Sequence, residues 1–124
     1  MTHLSQPQRE ALIELLCLAV ATNHKESPSQ EVAMHRALQK IGWGDPAKPQ
    51  AIFLAKALNE AREIMDDEKC IVAFIASRTA HFEKPEDQTK SLELLTLVTE
   101  IDGLEECEDT FLARVQAAFE VCGA

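Results

Sequence analysis

The sequence predicts an all-α fold: one globular domain of about six helices, containing two related helix-loop-helix units. Three observations carry that expectation. Apolar residues recur at helical spacing along most of the chain. Strand-like alternation is absent, and no hairpin dipeptide separates two β-branched runs. The 124 residues are 46% hydrophobic, an ordinary globular composition with length enough for one core.

The elements follow in order. Residues 6–22, "QPQREALIELLCLAVAT", are rich in helix formers and almost wholly apolar after Glu10, so this helix should be buried on most sides. Residues 28–41, "PSQEVAMHRALQKI", follow a start signal. Ser27 is placed as N-cap, Pro28 at the first helical position, and Gln30 three residues after the cap, as in a capping box. Gly42 is placed to end that helix in the left-handed conformation, with Trp43 supplying the apolar contact that follows such caps. Trp43 is thus read as a packing residue, with anchoring of a partner as the other use of an exposed tryptophan.

"GWGDPAKPQ", with two glycines and two prolines, is the main break. A third helix is expected from Pro49 to Met65. A fourth, from Asp67 to Phe82, starts on acids that complement the helix dipole. "EKPED" breaks the chain again, before a fifth helix from Glu86 to Ile101 and a sixth from Glu105 to Val121. Residues 1–5 read as a mobile tail.

Charge is distributed unevenly. Residues 1–85 hold 11 acids and 10 bases, whereas residues 86–124 hold 10 acids and 2 bases, so nearly all of the net −9 lies in the last third. That balance argues against phosphate-backbone binding there and favours a cationic partner, a metal ion, or solubility alone. The longest apolar run, Ala11 to Ala21, is 11 residues and is interrupted by Glu14, short of the roughly 18 that a membrane span needs. No signal peptide is visible, so a cytoplasmic setting is expected. Cys17, Cys70, Cys107 and Cys122 form no CxxC pair and no zinc-finger spacing with the histidines. Cys107 and Cys122 share the sixth helix and stand about 22 Å apart along it, too far for a disulfide. All four cysteines read as buried, reduced thiols.

The first and last helix pairs echo one another. "IELLCLAVATNH" (13–24) aligns with "LELLTLVTEIDG" (92–103) at an offset of 79, and "MHRALQKI" (34–41) with "FLARVQAA" (111–118) at an offset of 77. Glu14, Leu15, Leu16 and Leu18 match Glu93, Leu94, Leu95 and Leu97. "PQREALIELLCLAV" near the start, with "EIDGLEECEDTFLARVQAAF" near the end, resembles the TerB-like family, named for a tellurite-resistance protein. Members carry an apolar helix, an Ala-Asp-Gly type loop and a glutamate opening the next helix, often in two copies. The resemblance spans residues 5–121 and is weakest over 45–85. It implies an all-α domain of bacterial stress-response and tellurite-resistance systems, with acidic residues suspected of binding metal. In the second copy Asp102 and Gly103 match the Asp-Gly pair, and Glu108 matches the helix-start glutamate after a loop one residue shorter than usual. In the first copy Asn23, His24 and Gln30 stand at the corresponding places, polar but uncharged. A property needing carboxylates from both copies would lack half of them here.

The second loop, "EIDGLEECEDTFL", sets six carboxylates into residues 100–109 with no base among them. Its structural reading is a glycine that ends helix five and glutamates that favour the positive end of helix six. Its functional readings are cation binding, with Asp102, Glu105, Glu106 and Glu108 as the oxygen ligands, and protein docking. The order of an EF-hand loop is not present. His3, His24, His35 and His81 lie on separate segments with no partner set by spacing. No nucleophile elbow, phosphate-cradling glycine loop or HExxH occurs, so a non-enzyme is expected. The reading is a non-enzymatic helical module that requires no cofactor and takes a weakly bound divalent cation or a protein partner through its acidic third. The alternative is a helical adaptor or homodimerisation domain with no ion. Nucleic acid and a membrane span are not expected.

Overall fold

The computed structural model describes the backbone of residues 5–22, 28–43, 47, 49–99 and 106–122, and the side chains of 5–21, 32–43, 47, 49–97 and 112–120. Among the described residues there are six α-helices and no strand. They are α1 (Gln6–Thr22), α2 (Pro28–Ile41), α3 (Gln50–Ile64), α4 (Glu68–Thr79), α5 (Pro85–Thr99) and α6 (Glu106–Cys122). No helix among the described residues is long and apolar enough to cross a membrane.

Local chemistry sets the ends. Ser5 opens α1 with a capping box: its N–H donates to Gln8 Oε1 at 3.0 Å, and the Gln8 N–H donates to Ser5 Oγ at 3.3 Å. Ser5 and Gln8 have the serine-to-glutamine spacing that predicted a box at Ser27, a residue outside the described ones. Gly42 closes α2 at φ 75°, and its N–H donates to the Leu38 carbonyl at 3.0 Å. A Cβ at Gly42 would meet only Arg9 Cζ, at 3.9 Å, so the positive φ rather than crowding calls for glycine. Trp43 then packs on Phe53 of α3, ring centroids 5.4 Å apart, as the packing reading of that tryptophan expects. Asp67 caps α4 by accepting from the N–H groups of Lys69 (3.0 Å) and Cys70 (3.2 Å).

Helix α4 ends at Thr79, three residues before the expected Phe82. His81 and Phe82 donate to the carbonyls of Arg78 and Thr79, so the last turn tightens to i→i+3 bonds. The tightening turns Phe82 inward, where it is fully buried and meets Phe119 edge-on at 6.0 Å.

Helix α1 is the centre of the fold and touches all five other helices. Every residue from Ala11 to Ala19 is buried except Glu14. The other helices close a shell whose inner residues include Ala37, Ala61, Ile75, Leu95 and Val115. The sequence echo has a counterpart in the packing. Helix α1 touches α5, and each of these two touches both α2 and α6. Exchanging α1 with α5 and α2 with α6 therefore maps these contacts onto themselves. Gln8 and Asp87, which share the offset of 79, touch each other: Gln8 Nε2 donates to Asp87 Oδ2 at 3.4 Å. The hairpin of α3 and α4 breaks the symmetry, since its contacts fall on α1 and α6.

Burial should set the cost of truncation. Leu16 is fully buried whereas Leu97 is 39% exposed. Leu16→Ala should cost about 2–5 kcal/mol and Leu97→Ala about 1 kcal/mol or less, measured by urea denaturation. Equal losses would contradict the asymmetric core.

Candidate functional site

The structure distributes the sequence-predicted site residues unevenly. Asp102 and Glu105 lie outside the described residues. Glu106 and Glu108 lie in the first turn of α6, with side chains outside the described set. Asn23 and His24 of the first loop are likewise outside, and Gln30 lies in the first turn of α2 with its side chain outside. Among the described residues no group of three or more His, Cys, Asp or Glu side chains is placed to hold a metal ion.

The polar centre that the structure does build was signalled by Glu14, the one acid within the apolar stretch of α1 from Ala11 to Ala21. A half-buried carboxylate there needs a partner. Arg78 of α4 supplies it, donating from Nε at 3.2 Å and from Nη2 at 2.6 Å to Glu14 Oε2. Nη2 also reaches Glu60 of α3 at 3.1 Å, Nη1 donates to Ser77 Oγ at 2.7 Å, and the guanidinium lies 4.0 Å over the Phe74 ring. Each guanidinium nitrogen is thus engaged within the chain. The arrangement clamps α1, α3 and α4 together.

The thiols divide by environment. Cys17 sits fully buried one turn from Glu14. Burial pushes its thiol up to about 12; the Glu14 charge adds to this and Arg62 opposes it. Cys70 is exposed at the start of α4, which corrects the expectation of a buried thiol there. Helical phase explains the difference: Ile71, Phe74 and Ile75 take the inward face of α4 and leave Cys70 outside. Its thiol is also raised, chiefly by its hydrogen bond to Asp67. Asp67 in turn is lowered by the Cys70 N–H, then by the thiol, with Lys69 N–H adding to this. Cys107 and Cys122 have side chains outside the described residues.

Two surface features remain. A groove of about 430 Å³ runs between α4 and α6, lined by Ala76, Ala117 and Ala118 and edged by Val72 and Arg114. Arg114 is held there by Glu68 at 2.6 Å. Along α5, two adjoining hollows share Thr89 and Glu93 and continue to Glu86 at one end and Leu97 at the other. These residues recur at helical spacing, so they form one stripe. Periodicity alone does not single it out, because Leu92 falls in the apolar stripe with Leu95 and Val98, and Leu97 aligns with Leu18 of α1. Compared with family models, curated proteins and solved structures, the chain matches none.

The Cys17 environment fixes a pH dependence. The unfolded thiol ionises near 9.0, whereas the folded thiol keeps its proton to about 12. The folded state therefore binds more protons in that window, and the stability associated with the thiol is present below pH 9 and declines as pH rises toward 12. The stability gap between wild type and Cys17→Ala should narrow over this range, by at most about 1.4 kcal/mol per pH unit. Urea denaturation at pH 8 and pH 10.5 measures it, and a constant gap would contradict the burial of the thiol.

Proposed function

We propose that this chain is a TerB-like, non-enzymatic helical module of a bacterial stress-response or tellurite-resistance system, working in the cytoplasm and docking a protein partner or a divalent cation through its acidic C-terminal third. One observation supports the docking reading most. Within that third, α5 offers solvent a stripe of Glu86, Thr89, Glu93 and Leu97, while its counterpart α1 is buried at every position from Ala11 to Ala19 but Glu14. The order of an apolar helix, a loop and a second helix at both ends of the chain supports the TerB-like part. The excess of 10 acids over 2 bases in residues 86–124 supports a cationic partner and disfavours nucleic acid.

In the cation form of this reading, Asp102, Glu105, Glu106 and Glu108 supply the oxygen ligands at the head of α6. The first loop has Asn23, His24 and Gln30 at the matching places and so lacks the motif's two carboxylates, which makes binding single and weak. A second reading is an ion-free adaptor or homo-oligomer. Val72, 51% exposed beside the α4–α6 groove, favours it.

Calorimetry with Ca²⁺, Mg²⁺, Mn²⁺ and Zn²⁺ separates these forms. Cation binding requires heat from wild type that is lost in the Asp102→Asn/Glu108→Gln double variant. No heat, or equal heat from both proteins, removes the cation and leaves protein docking. Light scattering then tests the homo-oligomer form of the second reading, which a monomer at high concentration would remove.

A further inference from the structure

Helices α1 and α5 align in sequence at an offset of 79 and both touch α2 and α6, yet their outer faces differ. Helices α3 and α4 lie over α1 where Glu14 meets Arg78, and Ile13, Cys17 and Leu18 around it are fully buried. At the offset of 79 the matching α5 residues are Leu92, Glu93, Thr96 and Leu97. Leu97 is 39% exposed against 0% for Leu18, Glu93 is exposed, and Leu92 and Thr96 are half-buried. Among the described residues, α5 has no layer from α3 or α4 comparable to the one on α1.

We infer that this face of α5 docks an amphipathic helix of another protein, which brings an arginine or lysine to Glu93 and apolar side chains to Leu92 and Leu97. The inference rests on the reading of the acidic third as a docking surface and names the partner's chemistry. The occupant is helical because the α1 residues aligned with this face are covered by helices, and because the stripe from Glu86 to Leu97 runs along α5 as one continuous track that an amphipathic helix can lie against. The occupant is basic because Glu14, the equivalent of Glu93, is satisfied by an arginine from its covering helix. Glu86 and Glu93 both stand exposed on the stripe, and Lys90, half-buried between them, already interacts within the chain. A second copy docked through the same stripe would set those two glutamates against the same acids, so charge favours a different partner.

The probe is a fluorescent, amidated peptide of about 16 residues, long enough to form helix on binding, with leucines at i, i+3, i+4 and i+7 and arginines beside them. Fluorescence anisotropy should give saturable binding that weakens about tenfold in Glu93→Lys and in Leu97→Asn. Glu120→Lys, an exposed acid of α6 in the same acidic third, should leave it unchanged. Circular dichroism of each variant confirms an intact fold. Equal weakening by Glu120→Lys, with none by Leu97→Asn, would overturn the inference while leaving diffuse docking by the acidic third in place. No saturable binding would also overturn it, while the cation and oligomer forms are judged by calorimetry and light scattering. Dimerisation of the free protein that Leu97→Asn abolishes would overturn it in favour of a second copy.

Discussion

The burial of α1 is the constraint on which the rest of the structure depends. A helix that is apolar at every position from Ala11 to Ala19 except Glu14 cannot lie on a surface. It has to be enclosed, and five other helices enclose it. Full burial of a leucine or isoleucine side chain contributes about 1.5–3 kcal/mol, and α1 carries five such side chains at full burial. Against a net stability of order 5–15 kcal/mol for a domain, this one helix is decisive.

The same burial creates a problem at Glu14 and explains its solution. A carboxylate in that helix can be held only where a cation and solvent reach it together. Arg78 comes from α4, bonds Glu14 and Glu60, and stacks on Phe74, so three helices share one guanidinium. Gln8 acts similarly at the other end of α1. It caps its own helix through Ser5, and its amide reaches the His81 carbonyl and Asp87. Polar side chains on α1 thus set how the later helices dock. The α3–α4 hairpin completes the enclosure on one side only, and that asymmetry leaves the outer face of α5 to solvent.

Much of this was legible in the sequence, for identifiable reasons. Pro28, Gly42 and Asp67 act through neighbours within four residues, so their roles can be read locally. The all-helical pattern follows from periodicity, and the echo between the two hairpins from matched residues. Phe82 escaped such a reading because its partner, Phe119, is distant in sequence. Cys70 was misjudged because composition says that cysteines tend to be buried, while helical phase decides which one is. The exposed stripe on α5 was hidden for a related reason. Leu18 and Leu97 occupy matching places, and only the position of the α3–α4 hairpin makes one core and the other surface.

A hub helix and an uncovered counterpart make a specific demand on local stability. Helix α1 can open only when its whole shell opens, whereas α5, lacking a layer over one face, can open on its own. Native-state hydrogen exchange, followed residue by residue, measures this directly. Amides of Leu12 to Ala19 should exchange with the free energy of global unfolding, and those of α5 around Glu93 with a lower one. Exchange of α1 at a free energy below that of α5 would contradict the account.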